Sequence, residues 1–121
     1  GYGLRQILHA QAEKGAKVDR VVLSGGAGKS DLVRQLLADA AGVELSIPAA
    51  EEPVLLGSAI LGSMAAGIHE DIETAMGEMS AFAKVFRPQV GDVRALHEKR
   101  YQVFKKFQSA ARQAAKLQEL D

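Results

Sequence analysis

The chain has 121 residues, no cysteine, a formal net charge of zero, 47% hydrophobic and 25% charged residues. One modest core is within reach of that length, and disulfide frameworks and thiolate metal sites are excluded. No apolar run approaches the roughly 20 residues that span a bilayer, and no basic, then apolar, leader opens the chain.

In chain order, Leu4, Ile7, Leu8 and Ala12 recur at helical spacing, with Gly15 as a stop. Val21, Val22 and Leu23 are consecutive apolar residues, the pattern of a strand over 20–24 covered on both faces. A glycine-rich turn, Gly25 to Gly28, follows. Leu32, Val33, Leu36, Leu37 and Ala40 then predict a helix that leaves Arg34 and Asp39 outside and stops at Gly42. Val43, Leu45 and Ile47 alternate with Glu44 and Ser46, which predicts a half-exposed strand parallel to the first. Pro53 suits the first position of a helix that runs to Ala66 and stops at Gly67. A short helix is expected over Asp71 to Met79. Phe86, Pro88 and Gly91 read as a loop, and a single long helix is expected from Asp92 to Leu120, with Val93, Leu96, Phe104, Phe107, Ala111 and Ala114 near one stripe.

Charge is unevenly distributed. Eight acids and no Lys or Arg lie between Arg34 and Lys84, whereas Val93 to Lys116 holds seven basic residues and one acid, Glu98. A basic segment of this kind reads first as a solvated helix face, and no aromatic or glycine pattern of a nucleic-acid module accompanies it.

Chemistry concentrates at Ser24-Gly25-Gly26-Ala27-Gly28-Lys29-Ser30. A P-loop, G-x-x-x-x-G-K-[ST], would need a glycine at position 23, where Leu23 stands. Two readings stay open on the residues alone. The first is an ordinary strand-to-helix turn. The second is a turn whose glycines let backbone approach a ligand and whose following helix aims amides at an anion, with Lys29 adding charge. His9, His69 and His97 lack ligand spacing, and no metal site is expected. Ser24, Ser30 and Ser58 lack a nucleophile elbow. Glu51 and Glu52 read as acids favoured at a helix N-terminus.

Taken in order, S-G-G-A-G-K-S, R-Q-L-L-A-D-A-A-G-V and E-E-P-V-L-L-G-S-A-I-L-G-S-M-A-A-G resemble the C-terminal domain of FGGY carbohydrate kinases, in the sugar kinase and actin superfamily. E-M-S-A-F-A-K-V-F-R-P and H-E-K-R-Y-Q-V-F-K-K-F look like the ribulokinase branch. The resemblance implies an α/β fold, part of an RNase H-like domain, in the order helix-strand-helix-strand-helices with a long C-terminal helix. Residues 1–91 would be the nucleotide-binding portion and 92–121 the long helix. It implies a C-terminal fragment of a cytoplasmic, ATP- and Mg²⁺-dependent kinase of a pentulose such as D-ribulose. Gly25, Gly26, Ala27, Lys29 and Ser30 would form the adenosine and phosphate turn, with Gly26 nearest the phosphates. Ser30 stands where relatives carry an asparagine near adenine, and it also suits a helix cap. Glu52, Leu56, Gly57 and Ala59 match a helix pattern beside the nucleotide cleft. The catalytic base, sugar pocket and metal ligands would lie upstream, so no catalytic residue is assigned. The expected partners are nucleotide, sugar and further copies of the chain, with no nucleic acid and no membrane. Rival readings are a stand-alone nucleotide-binding module and an interaction module built on the C-terminal helix.

Overall fold

The computed structural model describes residues 1–25 and 30–118. The elements run α1 Tyr2–Glu13, β1 Arg20–Val22, α2 Asp31–Ala41, β2 Glu44–Pro48, α3 Pro53–Ala65, α4 Ile72–Met79, β3 Phe82–Phe86 and α5 Asp92–Gln118. Three strands form one mixed sheet in the order β1-β2-β3. β1 and β2 are parallel, pairing Val21 with Leu45, and β2 and β3 are antiparallel, pairing Leu45 with Phe86.

Punctuation follows the residue chemistry. Gly42 ends α2 in the left-handed region at φ 71°, where its amide donates to the carbonyl of Ala38. Pro53 opens α3, where its missing N–H costs nothing. Asp71 caps α4 by accepting the Thr74 amide at 2.8 Å. That bond, followed by the bond from the Thr74 hydroxyl, holds the Asp71 carboxyl below its usual range.

The core is small. Ala38, Ala41, Val43 and Leu45 form its centre, with Leu4, Leu8, Val21, Leu23, Leu37 and Phe86 packed around them. Alanines on α2 let α1 come close, and a Cβ on Gly1 would sit only 2.5 Å from the Ala40 Cβ.

Five expectations need correction. β3 is a strand where the sequence suggested only the approach to a loop; Ala81, Ala83 and Lys84 dilute its β-signal, and pairing to β2 creates it. β2 is buried on both faces, with Leu45 at 1% and Ser46 at 0% exposure, because it is the central strand. β1 is the reverse: it is an edge strand, shorter than expected, and Val22 is 54% exposed. α2 is turned from its expected orientation. Leu32 is exposed, whereas Asp39 is buried and accepts bonds from Gln35 Nε2 and the Gln89 amide at 3.0 and 2.7 Å. Two bonds make that carboxylate tolerable inside, and the one from Gln89 ties α2 to the connection between β3 and α5. The stripe expected on α5 divides between two faces: Phe104 is half-buried and Phe107 is 73% exposed.

Candidate functional site

A cleft of about 500 Å³ opens where β1 and β2 deliver their C-terminal ends. One wall is Leu23, Ser24 and Gly25, and Arg34 reaches in from α2. The other wall is the continuous segment 47–54, from the end of β2 to the first turn of α3. The strand register is irregular between Ile47 and Pro48, and the Ala49 amide donates to the Ala81 carbonyl at 2.9 Å. Pro48 has no N–H for the ladder, so the chain leaves the sheet there and turns to form the wall.

Gly25 takes φ +91°, a conformation that disfavours any side chain, and no described heavy atom lies within 4 Å of where its Cβ would stand. The glycine therefore serves the backbone turn, and no described residue fills its outer side. Ser30 is the N-cap residue of α2, with φ −94° and ψ 124°, yet its side chain makes no capping bond. The expected position is right and the expected capping bond is absent. Gly26, Ala27 and Lys29 lie outside the described residues.

The charge at the start of α2 is organised around Asp31. Its carboxylate accepts Lys84 Nζ through one oxygen and Arg34 through the other, at 2.8 Å for the arginine. Lys84 and then Arg34 hold the Asp31 carboxyl below its usual range. One carboxylate is thus shared by two cations beside the helix N-terminus, where the backbone dipole is positive, while Glu51 and Glu52 place negative charge on the opposite wall. Arg34 was missed as a cleft residue in the sequence, where it was assigned to the outer face. Its side chain is 15% exposed. Its place four residues after the Ser30 cap, hence on the same side of the helix, was the available signal. Glu52 caps α3 at the cleft rim without a side-chain capping bond, and Glu51 precedes it, both at the helix N-terminus as expected.

Several other polar groups are engaged elsewhere, whereas the buried Ser46 hydroxyl has no hydrogen-bond partner among the described residues. A second cleft of about 500 Å³ lies at the opposite end of β2, near Arg5, Asp39, Glu44 and Arg87. Its carboxylates are taken: Glu44 by Arg20 and Arg87, Glu98 by Arg5, and Asp39 as above. His69 meets a single carboxylate: Nε2 is 3.3 Å from Glu78 and Nδ1 is 2.9 Å from Ser63 Oγ. Ser63 donates its own proton to the Ile60 carbonyl at 2.7 Å, so this trio is a structural link between α3 and α4. Among the described residues no group of three or more His, Asp or Glu is arranged to hold a metal ion.

The ends of β1 and β2, Gly25 and Arg34 of α2 thus border one cleft whose other wall, 47–54, is apolar apart from Glu51 and Glu52. The sequence profile of the FGGY family of carbohydrate kinases, C-terminal domain, matches residues 1–66, and the chain belongs to that family. It is similar to the FGGY carbohydrate kinase domain-containing protein of Homo sapiens, 36% identical over 105 residues that cover 87% of this chain and 19% of the relative. It is also similar to the ribulokinase of Mycolicibacterium smegmatis, 34% identical over 83 residues, covering 69% of this chain and 15% of that protein. A solved structure of ligand-bound xylulose kinase from Lactobacillus acidophilus superposes with a TM-score of 0.75 at 23% identity, over 88% of this chain and 22% of that one. The α/β fold is thus that of the sugar kinases. The chain spans about a fifth of the length of the relatives it matches.

Proposed function

We propose that this chain is the C-terminal, nucleotide-binding part of an ATP-dependent carbohydrate kinase, acting on a pentulose such as D-ribulose. The observation that supports it most is the cleft itself: a glycine at φ +91° opposite a wall with an apolar stretch at 47–50, beside a helix N-terminus where Arg34 and Lys84 share Asp31. On this reading Gly25, Gly26, Ala27, Lys29 and Ser30 line the phosphates and adenosine. Backbone amides and the helix dipole favour the phosphate charge. Ile47, Pro48, Ala49, Ala50 and Val54 give the base an apolar slot. The carboxylates of Glu51 and Glu52 are acceptors suited to ribose hydroxyls.

Residues 1–91 form the nucleotide-binding portion on this reading, and 92–121 form the appended helix. Among the described residues the cleft offers only the adjacent pair Glu51 and Glu52, and no group of three or more His, Asp or Glu is arranged to hold Mg²⁺. We assign metal ligands, catalytic base and sugar pocket to the part of the relatives that this chain does not span. Phosphoryl transfer needs nucleophile, metal and γ-phosphate held together. This chain by itself holds the nucleotide. A cytoplasmic setting, where ATP is available, follows from the same reading; no described helix is long and apolar enough to cross a membrane.

Calorimetric titration of the 121-residue chain with ATP, ADP and adenosine tests this. Saturable binding of all three is expected, with no ADP release on adding Mg-ATP and D-ribulose. A folded chain that binds none of them at millimolar concentration overturns the reading.

A further inference from the structure

α5 has two apolar faces, and only one is used within the chain. The inner face carries Val93, His97, Tyr101, Phe104 and Gln108. It meets α1: Tyr2 OH bonds His97 Nδ1 at 2.9 Å, Gln6 bonds Gln108, and Tyr101 lies under the Arg5 guanidinium. The outer face carries Leu96, Val103, Phe107 and Leu117, exposed at 45%, 51%, 73% and 70%. Exposed Ala110 and Ala114 complete it. From Val103 to Leu117 the steps are four, three, four and three, the spacing of a helix-pairing seam.

Length points the same way. α5 has 27 residues and α1 has 12. At about 1.5 Å per residue the two measure about 40 and 18 Å, so α1 supports less than half of α5. Every residue from Ser109 to Leu117 is exposed.

Charge selects the occupant. Seven basic and two acidic residues leave α5 at +5, and Glu98 is already paired with Arg5. No acid occurs from Lys99 to Lys116. Arg100 falls on the seam itself between Leu96 and Val103, and Lys99 and Lys106 stand beside it. Pairing two copies of α5 would bring two helices of +5 together. Phosphate backbone has no use for an apolar stripe, and Lys105, Arg112 and Lys116 point away from the seam's helical positions.

We propose that the outer stripe of α5 docks an amphipathic helix of a partner protein, with an apolar stripe of matching four-three spacing flanked by Asp and Glu. Val103 and Phe107 supply its apolar centre; Lys99 and Lys106 read the acidic flank, and Arg100 closes the N-terminal end of the apolar stretch.

Fluorescence anisotropy with designed peptides tests it on the 121-residue chain. The probes are a helical peptide of about four heptads with leucine at the seam and glutamate beside it, its twin with lysine for glutamate, and a DNA duplex. At about 0.15 M salt, where only close charges act across the interface, the acidic peptide is expected to bind at least about tenfold more tightly than its twin. Phe107→Ser should weaken it by about tenfold or more. Lys99→Glu with Lys106→Glu should reverse the preference between the twins; all three positions are exposed, and circular dichroism verifies the fold. Equal binding of the twins, no peptide binding, tighter binding of DNA, or self-association that Phe107→Ser dissolves each overturns the proposal.

Discussion

Gly25→Ala and Gly42→Ala form a matched pair that separates a ligand-contacting turn from a merely structural one. Both glycines have positive φ, 91° and 71°, and at both sites a new Cβ meets no described heavy atom within 4 Å. Steric clash with the described residues is therefore absent from both ledgers. What remains is the intrinsic cost of placing an L-residue in the left-handed region, about 1–2 kcal/mol. Against it stands the reduced freedom of the unfolded chain, about 0.4–1 kcal/mol. The net loss is about 1 kcal/mol for each variant, or about 4 °C in Tm for a chain of this size. Affinity is where the pair diverges. Gly25 lines the cleft and Gly42 lies at the far end of β2. If phosphate approaches the Gly25 backbone, the added methyl occupies that approach, and a loss of tenfold or more in ATP affinity, about 1.4 kcal/mol, is expected. Gly42→Ala should leave ATP affinity unchanged. Urea denaturation gives the first quantity and calorimetric titration the second. Equal affinity losses in both variants would make the effect one of stability alone. Full affinity in Gly25→Ala would remove the turn from the site.

Three further outcomes follow from named contacts. Lys84 and Arg34 depress the Asp31 carboxyl below the ordinary aspartate value of 3.8, so the stabilisation it brings is present above that pH and fades as pH falls through the lowered folded value; thermal melts of Asp31→Asn from neutral to acidic pH should lose that acid-limb dependence, and an unchanged limb would refute the pairing. Leu45, 1% exposed at the centre of the sheet, should cost about 2–5 kcal/mol on replacement by alanine in a denaturant titration. β1 is an open edge, and because the Leu23 amide bonds the Ser46 carbonyl, strand alternation turns the Val22 N–H outward; we expect the chain to self-associate through this edge, and Val22→Pro should shift it toward monomer in light scattering without breaking a β1–β2 bond.

Local chemistry determined much of this protein from its sequence. Gly42 and Gly67 stop helices because only glycine accepts their positive φ without strain, Pro53 starts one because its ring suits the first turn, and the four-three spacing along α5 is written in its side chains. The order of elements was legible for the same reason, each signal acting within a few residues. Burial and pairing were not. Ser46 is polar and fully buried because strands lie on both sides of β2, while Val22 is apolar and exposed because β1 has a neighbour on one side only. Asp39 is buried because an amide 50 residues away, that of Gln89, completes its hydrogen bonds. β3 exists because β2 offers it a ladder, and Arg34 enters the cleft because Asp31 and Lys84 bridge α2 to that strand. Each of these depends on which segments meet across the sheet, a choice that residue type and spacing leave open and that tertiary packing alone makes.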